Sequence, residues 1–179
     1  MSPPHEHRSL ILGLHPTARG FGWAAFESPV SVFDAGLCTH KGSRKNAKCL
    51  DRFGQVVKRL KPETLVLESF DKQSTRRSAR IRKLCLSIVS LAAERGLEVV
   101  VYKRGDVHSA FATVGARTRD EIAEAVVRSQ PALKVHFPGR RKTSDSEDKR
   151  LSIFCAAALV ITHFHQGANR LFDALKDAA

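Results

Sequence analysis

Carboxylates and imidazoles delivered to one place by the ends of apolar segments are the groups in this chain that could do chemistry. His15 follows the apolar run Ser9 to Leu14, Glu68 ends the run Thr64-Leu65-Val66-Leu67, and Glu147 and Asp148 precede a long apolar stretch. Open α/β sheets gather ligands just beyond strand ends. Carboxylates converging there could hold Mg²⁺, which activates water and stabilises the leaving oxygen in phosphodiester cleavage. Each residue also has a plainer use. Glu68 could pair with a neighbouring arginine, and His15, before Pro16, could hold a turn by hydrogen bonding. Acids are favoured in a first helical turn by the helix dipole, and Ser144-x-x-Glu147 reads as a capping box. Asp148 is therefore the stronger site candidate of the two. Asp71 reads as a turn residue. His163 and His165 are two apart and point to different sides of a helix, and Cys155 reads as core.

The elements that must position these residues follow from hydropathy. Ser9 to Leu14 reads as a strand ending in the turn His15 to Gly20, and two further extended pieces make a meander to about His40. Leu50, Phe53, Val57 and Leu60 recur at helical spacing before Pro62. Thr64 to Glu68 is a buried strand, Ser74 to Arg95 a long amphipathic helix, and Leu97 to Tyr102 another strand. Short helices are predicted over Asp106–Phe111 and Arg119–Arg128, with a mobile loop over Pro131–Ser146. A helix from Glu147 to about Gln166 is apolar nearly all round, which marks it as buried. This order predicts an α/β fold, a mixed five-stranded sheet flanked by helices. Residues 1–8 are expected to be a flexible N-terminus, 9–166 one domain, and 167–179 a short peripheral helix.

Charge narrows the class of partner. Lys+Arg number 30 against 18 Asp+Glu, a formal net charge of +12 with a pI near 10.1. Such a field favours polyanions, of which nucleic acid is the commonest in a cell. The candidate phosphate contacts are Arg44 and Lys45, Arg76, Arg77 and Arg80, Lys103 and Arg104, Arg117 and Arg119, and Arg140, Arg141 and Lys142. With one Trp and one Tyr, the chain reads as a reader of backbone and shape, not a base-stacking single-strand binder. No run of apolar residues approaches the length of a membrane span and no signal-peptide core opens the chain, so a cytoplasmic location is expected. Cys38, Cys49, Cys85 and Cys155 are far apart with no Cys-x-x-Cys pair, which reads as reduced thiols, not a disulfide frame or zinc site.

The order of elements resembles the RuvC-type Holliday junction resolvases of the ribonuclease H-like superfamily. Ile11 to Gly22, with His15-Pro16 at a strand end, is similar to the opening of that family, and Leu65-Val66-Leu67-Glu68 to the strand carrying its second catalytic acid. Val114-Gly115 matches a Val-Gly turn, and Ile161-Thr162-His163 matches an Ile-Thr-His motif in the family's final helix. The likeness spans about residues 9 to 165. The departures fall on the catalytic positions. His15 stands at the place of the first aspartate, Ser152 and Cys155 at those of the two closing aspartates, and Glu68 alone carries over.

The resemblance implies a divalent-metal-dependent, structure-specific endonuclease on branched DNA, a homodimer, with His15, Glu68 and Asp148 as catalytic and metal-binding residues. On a helix from Glu147, Asp148 would share a face with Ser152 and Cys155 and serve from one turn earlier. The ion would be Mg²⁺ or Mn²⁺, the imidazole shifting preference away from Mg²⁺. Two other readings stay open: a catalytically inactive nucleic-acid-binding module of the same fold, and an assembly protein whose charge serves another acidic partner.

Overall fold

The computed structural model describes residues 9–73, 75–139 and 147–177. Three strands, β1 (Ile11–Pro16), β2 (Gly20–Ser28) and β3 (Ser31–Thr39), form an antiparallel meander. Helix α1 (Lys45–Leu60) leads to β4 (Thr64–Glu68), which pairs parallel with β1. Helix α2 (Ala79–Glu94) crosses to β5 (Glu98–Tyr102), and α3 (Arg104–Ala112), α4 (Arg119–Ser129) and α5 (Leu151–Asp177) follow. The sheet is five-stranded and mixed, in the order β3-β2-β1-β4-β5.

Side-chain alternation along the strands splits the core in two. Leu12, Leu14, Leu65 and Leu67 face α1 and α2, where Phe53, Val57, Leu84 and Ile88 meet them fully or nearly buried. Gly13, Val66 and Ala24 face α5. A Cβ on Gly13 would lie 2.2 Å from the Ala156 carbonyl oxygen, so the absence of a side chain is what lets α5 lie on β1. By length and apolar content α5 could cross a bilayer, although the uncharged reach of the sequence did not suggest it, yet 56% of its most apolar window is buried in the protein.

Several expectations need correction. β1 does not end at Leu14, because His15 and Pro16 go on pairing with Gly22 and Phe21 of β2. α2 starts at Ala79, where the Ser78 hydroxyl accepts from the Ile81 amide, and so Arg76 and Arg77 precede it. The first part of the expected mobile loop is a 3-10 turn, Pro131–His136, anchored by buried Leu133. α5 starts at Leu151, not Glu147: in the turn that leads into it the Asp148 carboxylate accepts from the Arg150 amide, and the Asp148 carbonyl from the Leu151 amide. Asp148, Ser152 and Cys155 therefore do not share one helical face. At its other end α5 runs unbroken through Gly167 to Asp177, so among the described residues the expected peripheral helix is part of α5.

Candidate active site

β1 and β4 are in parallel register with Leu14 opposite Leu67, one residue before His15 and Glu68. The alternation that turns Gly13 and Val66 toward α5 turns the next-but-one residues, His15 and Glu68, the same way. His15 Nδ1 lies 3.7 Å from Glu68 Oε2. Arg77 donates to that same oxygen at 3.0 Å and to the Pro16 carbonyl at 3.2 Å. With the two side chains only 13% and 20% exposed, this ion pair is partly desolvated, and removing one partner would strand the other.

Burial, reinforced by the positive charges of Arg77, Arg119 and Arg104, holds the His15 imidazole well below its ordinary value, so it is neutral at pH 7. Its Nδ1 is buried without a hydrogen-bond partner among the described residues. Across the site, burial pushes the Cys155 thiol up to about 11 and keeps it protonated. The Ser152 hydroxyl donates to the Lys149 carbonyl at 2.6 Å. Arg119 opens α4 from a fixed frame: Glu121 accepts from the Arg117 and Thr118 amides at 2.8 Å each, and Thr118 Oγ1 accepts from the Glu121 amide at 3.2 Å. Its guanidinium pairs with Glu147. His15 forms a wall between a small cavity of about 50 Å³, bordered by Glu68, Arg104, His108, Arg119 and Cys155, and an open cleft of about 480 Å³. Arg77, Arg119, Glu147, Asp148 and Ser152 border the cleft.

The structure thus brings His15 and Glu68 together, and sets Asp148 on the rim of the same cleft with its carboxylate turned to Arg150. Arg150 donates to Asp148 through its amide at 2.8 Å, Nε at 3.1 Å and Nη2 at 2.8 Å, and the side-chain bonds hold that carboxyl below the usual range. Glu147 is engaged by Arg119, while Ser144 of the expected capping box lies outside the described residues. Asp71 is a turn residue, accepting from the Ser69 hydroxyl and the Gln73 amide. Among the described residues no set of three metal-type donors forms around His15. A hard divalent ion takes mainly carboxylate and water oxygens. Here one carboxylate is ion-paired with Arg77 beside a neutral imidazole, and these residues as placed do not fit Mg²⁺.

The basic residues divide by partner. Arg44, Arg76 and Arg117 are exposed and Lys45 is half-buried. Arg77 is held as described, and Arg80 turns inward to the Thr17 and Ala18 carbonyls at 3.2 and 2.7 Å and to Asn46 at 2.6 Å. Arg140, Arg141 and Lys142 lie outside the described residues. Sequence reasoning missed His108, which lines the inner cavity beside Arg104 at 3.4 Å. No local pattern marks it, because the cavity is made by elements distant in sequence.

One pH effect follows. Below about 6.5 the unfolded chain binds a proton at His15 that the folded chain refuses, so folding stability falls as pH drops through that range. Half-buried His163, lowered by burial, acts in the same direction. Urea midpoints taken between about pH 7 and pH 5 are expected to fall less steeply in His15→Asn than in the wild type. Equal slopes would show that His15 is not held neutral.

No family model matches the chain. It is 28% identical over 170 residues to the crossover junction endodeoxyribonuclease RuvC of Anaeromyxobacter sp. (strain Fw109-5), spanning 90% of this chain and 76% of that protein. The Thermus thermophilus RuvC structure superposes with a TM-score of 0.63 at 17% identity, covering 89% of this chain and 96% of that one. The yeast mitochondrial Holliday junction resolvase Ydc2 does so with a TM-score of 0.59 at 13% identity, covering 92% and 83%. In sequence the chain is similar to RuvC, and in its mixed five-stranded sheet it shares the fold of these resolvase structures.

Proposed function

We propose that the chain recognises branched DNA of the Holliday-junction type and acts on it as a RuvC-like, structure-specific endonuclease at the His15–Glu68 centre. One observation carries the reading. The acid that the family resemblance retains, Glu68, ends β4 beside His15, where a small cavity bordered by Arg104 and Arg119 meets an open cleft bordered by Arg77 and Arg119, on a fold similar to that of a T. thermophilus RuvC solved with a Holliday junction substrate.

The residues have separable tasks. Exposed Arg44, Arg76 and Arg117 would contact backbone phosphates and set the register of the DNA. Arg104 and Arg119 would receive the phosphate under attack and offset the charge that develops on its oxygens. Neutral His15, which lines both the cavity and the cleft, can accept the proton of an attacking water and return it to the leaving oxygen as its bond to phosphorus breaks, while Arg77 holds the Glu68 carboxylate beside it. The homodimer that the resemblance implies would set two such centres about a two-fold axis, matching the symmetry of a four-way junction. The reading places the chain with DNA in the cytoplasm.

A second reading, junction binding without cleavage, is favoured by the engagement of Glu68 Oε2 by Arg77. RuvC-like resolvases are divalent-metal-dependent in general, so both Mg²⁺ and Mn²⁺ belong in the test beside EDTA. A labelled synthetic four-way junction is compared with linear duplex and structured RNA, for the wild type and for Glu68→Gln. The expected result is junction binding more than about tenfold tighter than duplex binding, with cleavage that falls about a hundredfold in Glu68→Gln. Tight junction binding with no cutting in any arm would establish the second reading. Equal affinity for junction and duplex would end both.

A further inference from the structure

Far from the His15 cleft in chemistry, though joined to it through the Thr17–Gly20 turn, a second group of donors converges. Cys38 is buried near the end of β3, opposite Phe21 of β2, and Cys49 is buried on the inner face of α1. His40 lies just past β3, its amide donating to the Arg19 carbonyl at 2.7 Å. The two Sγ atoms and one imidazole nitrogen all lie within 4.8 Å of one another. His40 Nε2 is buried and has no hydrogen-bond partner among the described residues. A buried ring nitrogen left unpaired is costly, and native proteins rarely leave one without a reason.

We propose that Cys38, His40 and Cys49 form a zinc site. Two thiolates and a neutral imidazole are the soft and borderline donors that Zn²⁺ prefers, and they suit neither Mg²⁺ nor Ca²⁺. The ion would supply the partner that His40 Nε2 lacks. Three protein donors leave one tetrahedral position for water, on the side where half-buried His40 opens to solvent. The expected reading of scattered reduced thiols came from spacing alone, in which Cys38 and Cys49 are too far apart to suggest a pair.

The position gives the site a use. The segment between His40 and Cys49 carries Lys41, Arg44, Lys45 and Lys48. An ion bound at both of its ends would fix this basic segment, the β3–α1 connection and the first turn of α1, against the sheet. The same region is already tied to the cleft, since Arg80 joins Asn46 of α1 to the carbonyls of Thr17 and Ala18. Zinc would thus hold phosphate contacts in place from outside the catalytic centre. The metal assignment itself does not depend on the junction reading.

The test uses the full chain. Protein purified without chelator is assayed for metal content, then stripped and refilled with Co²⁺. The expected result is one equivalent of zinc per chain and, with Co²⁺, the thiolate charge-transfer band and visible bands of a tetrahedral site. Both are lost in Cys38→Ser and Cys49→Ser and kept in Cys85→Ala. If either serine variant fails to fold, His40→Gln, which alters a half-buried residue, is expected to lose the tetrahedral spectrum. Absence of stoichiometric zinc together with an octahedral cobalt spectrum would overturn the proposal, as would a Cys38–Cys49 disulfide found by mass spectrometry in protein kept under reducing conditions.

Discussion

Replacing Gly22 with alanine is expected to destabilise the chain by about 3 kcal/mol or to prevent folding altogether. A Cβ on Gly22 would lie 2.4 Å from the Ser152 carbonyl carbon and 2.5 Å from the Ile153 nitrogen, both backbone atoms of the first turn of α5. Neither can move as the tip of a flexible side chain moves, so the whole start of α5 must lift from β2. That lift would carry Ser152 and Cys155 away from His15, which pairs with Gly22 across β1 and β2. Gly54 is the control. It lies within α1, and its added Cβ would meet only the Leu91 side chain at 3.7 Å. Gly54→Ala is expected to stabilise by roughly 0.5–1 kcal/mol, as alanine is the better helix former. Urea midpoints for the two variants should therefore move in opposite directions. A Gly22→Ala midpoint within experimental error of the wild type would show that α5 is not held against the sheet as described.

The parts of this architecture that could be read from residue order are those made by local patterning. Thr64 to Glu68 is a run of apolar and β-branched residues with one acid at its end, and the strand has those bounds. The apolar spacing of Leu50, Phe53, Val57 and Leu60 likewise marks α1. His15 was harder, because Pro16 beside a Gly-containing turn suggests a strand end, whereas pairing with β2 carries β1 two residues further. The start of α5 turned on a different contact, the Asp148 carboxylate choosing the Arg150 amide, and apolar periodicity is blind to that choice. Least legible were the partners of the arginines. Arg77 reaches a carbonyl 61 residues away and Arg80 one 62 residues away. In a charge count both look like phosphate contacts, and in the fold both are internal ties. The convergence of Cys38 with Cys49 was hidden for the same reason: only the packing of β3 against α1 brings them together.

Restoring acids at the positions where the resemblance places aspartates is expected to convert the centre into a metal site. In His15→Asp/Ser152→Asp/Cys155→Asp, three new carboxylates would join Glu68 around one cavity wall, since His15 and Cys155 border the inner cavity with Glu68 and Ser152 borders the cleft with His15. Without an ion these charges repel and are poorly hydrated, so the apo variant should be less stable than the wild type at pH 7. Each would titrate above the ordinary carboxylate range, and the deficit should shrink as pH falls and they become neutral. A divalent ion removes the repulsion. Mn²⁺ or Mg²⁺ at about 100 times its dissociation constant should then return roughly 2.7 kcal/mol, seen as a rise in the thermal midpoint that the wild type does not show. Junction cleavage should become strictly metal-dependent and rise by about a hundredfold over the wild type. The competing force is Arg77, which now neutralises Glu68 and could instead pair with a new aspartate. If the variant gains neither metal-dependent stability nor cleavage, Arg77 and Arg119 have made this a cleft for anions that added carboxylates cannot reverse, and the centre is committed to phosphate, not to a cation.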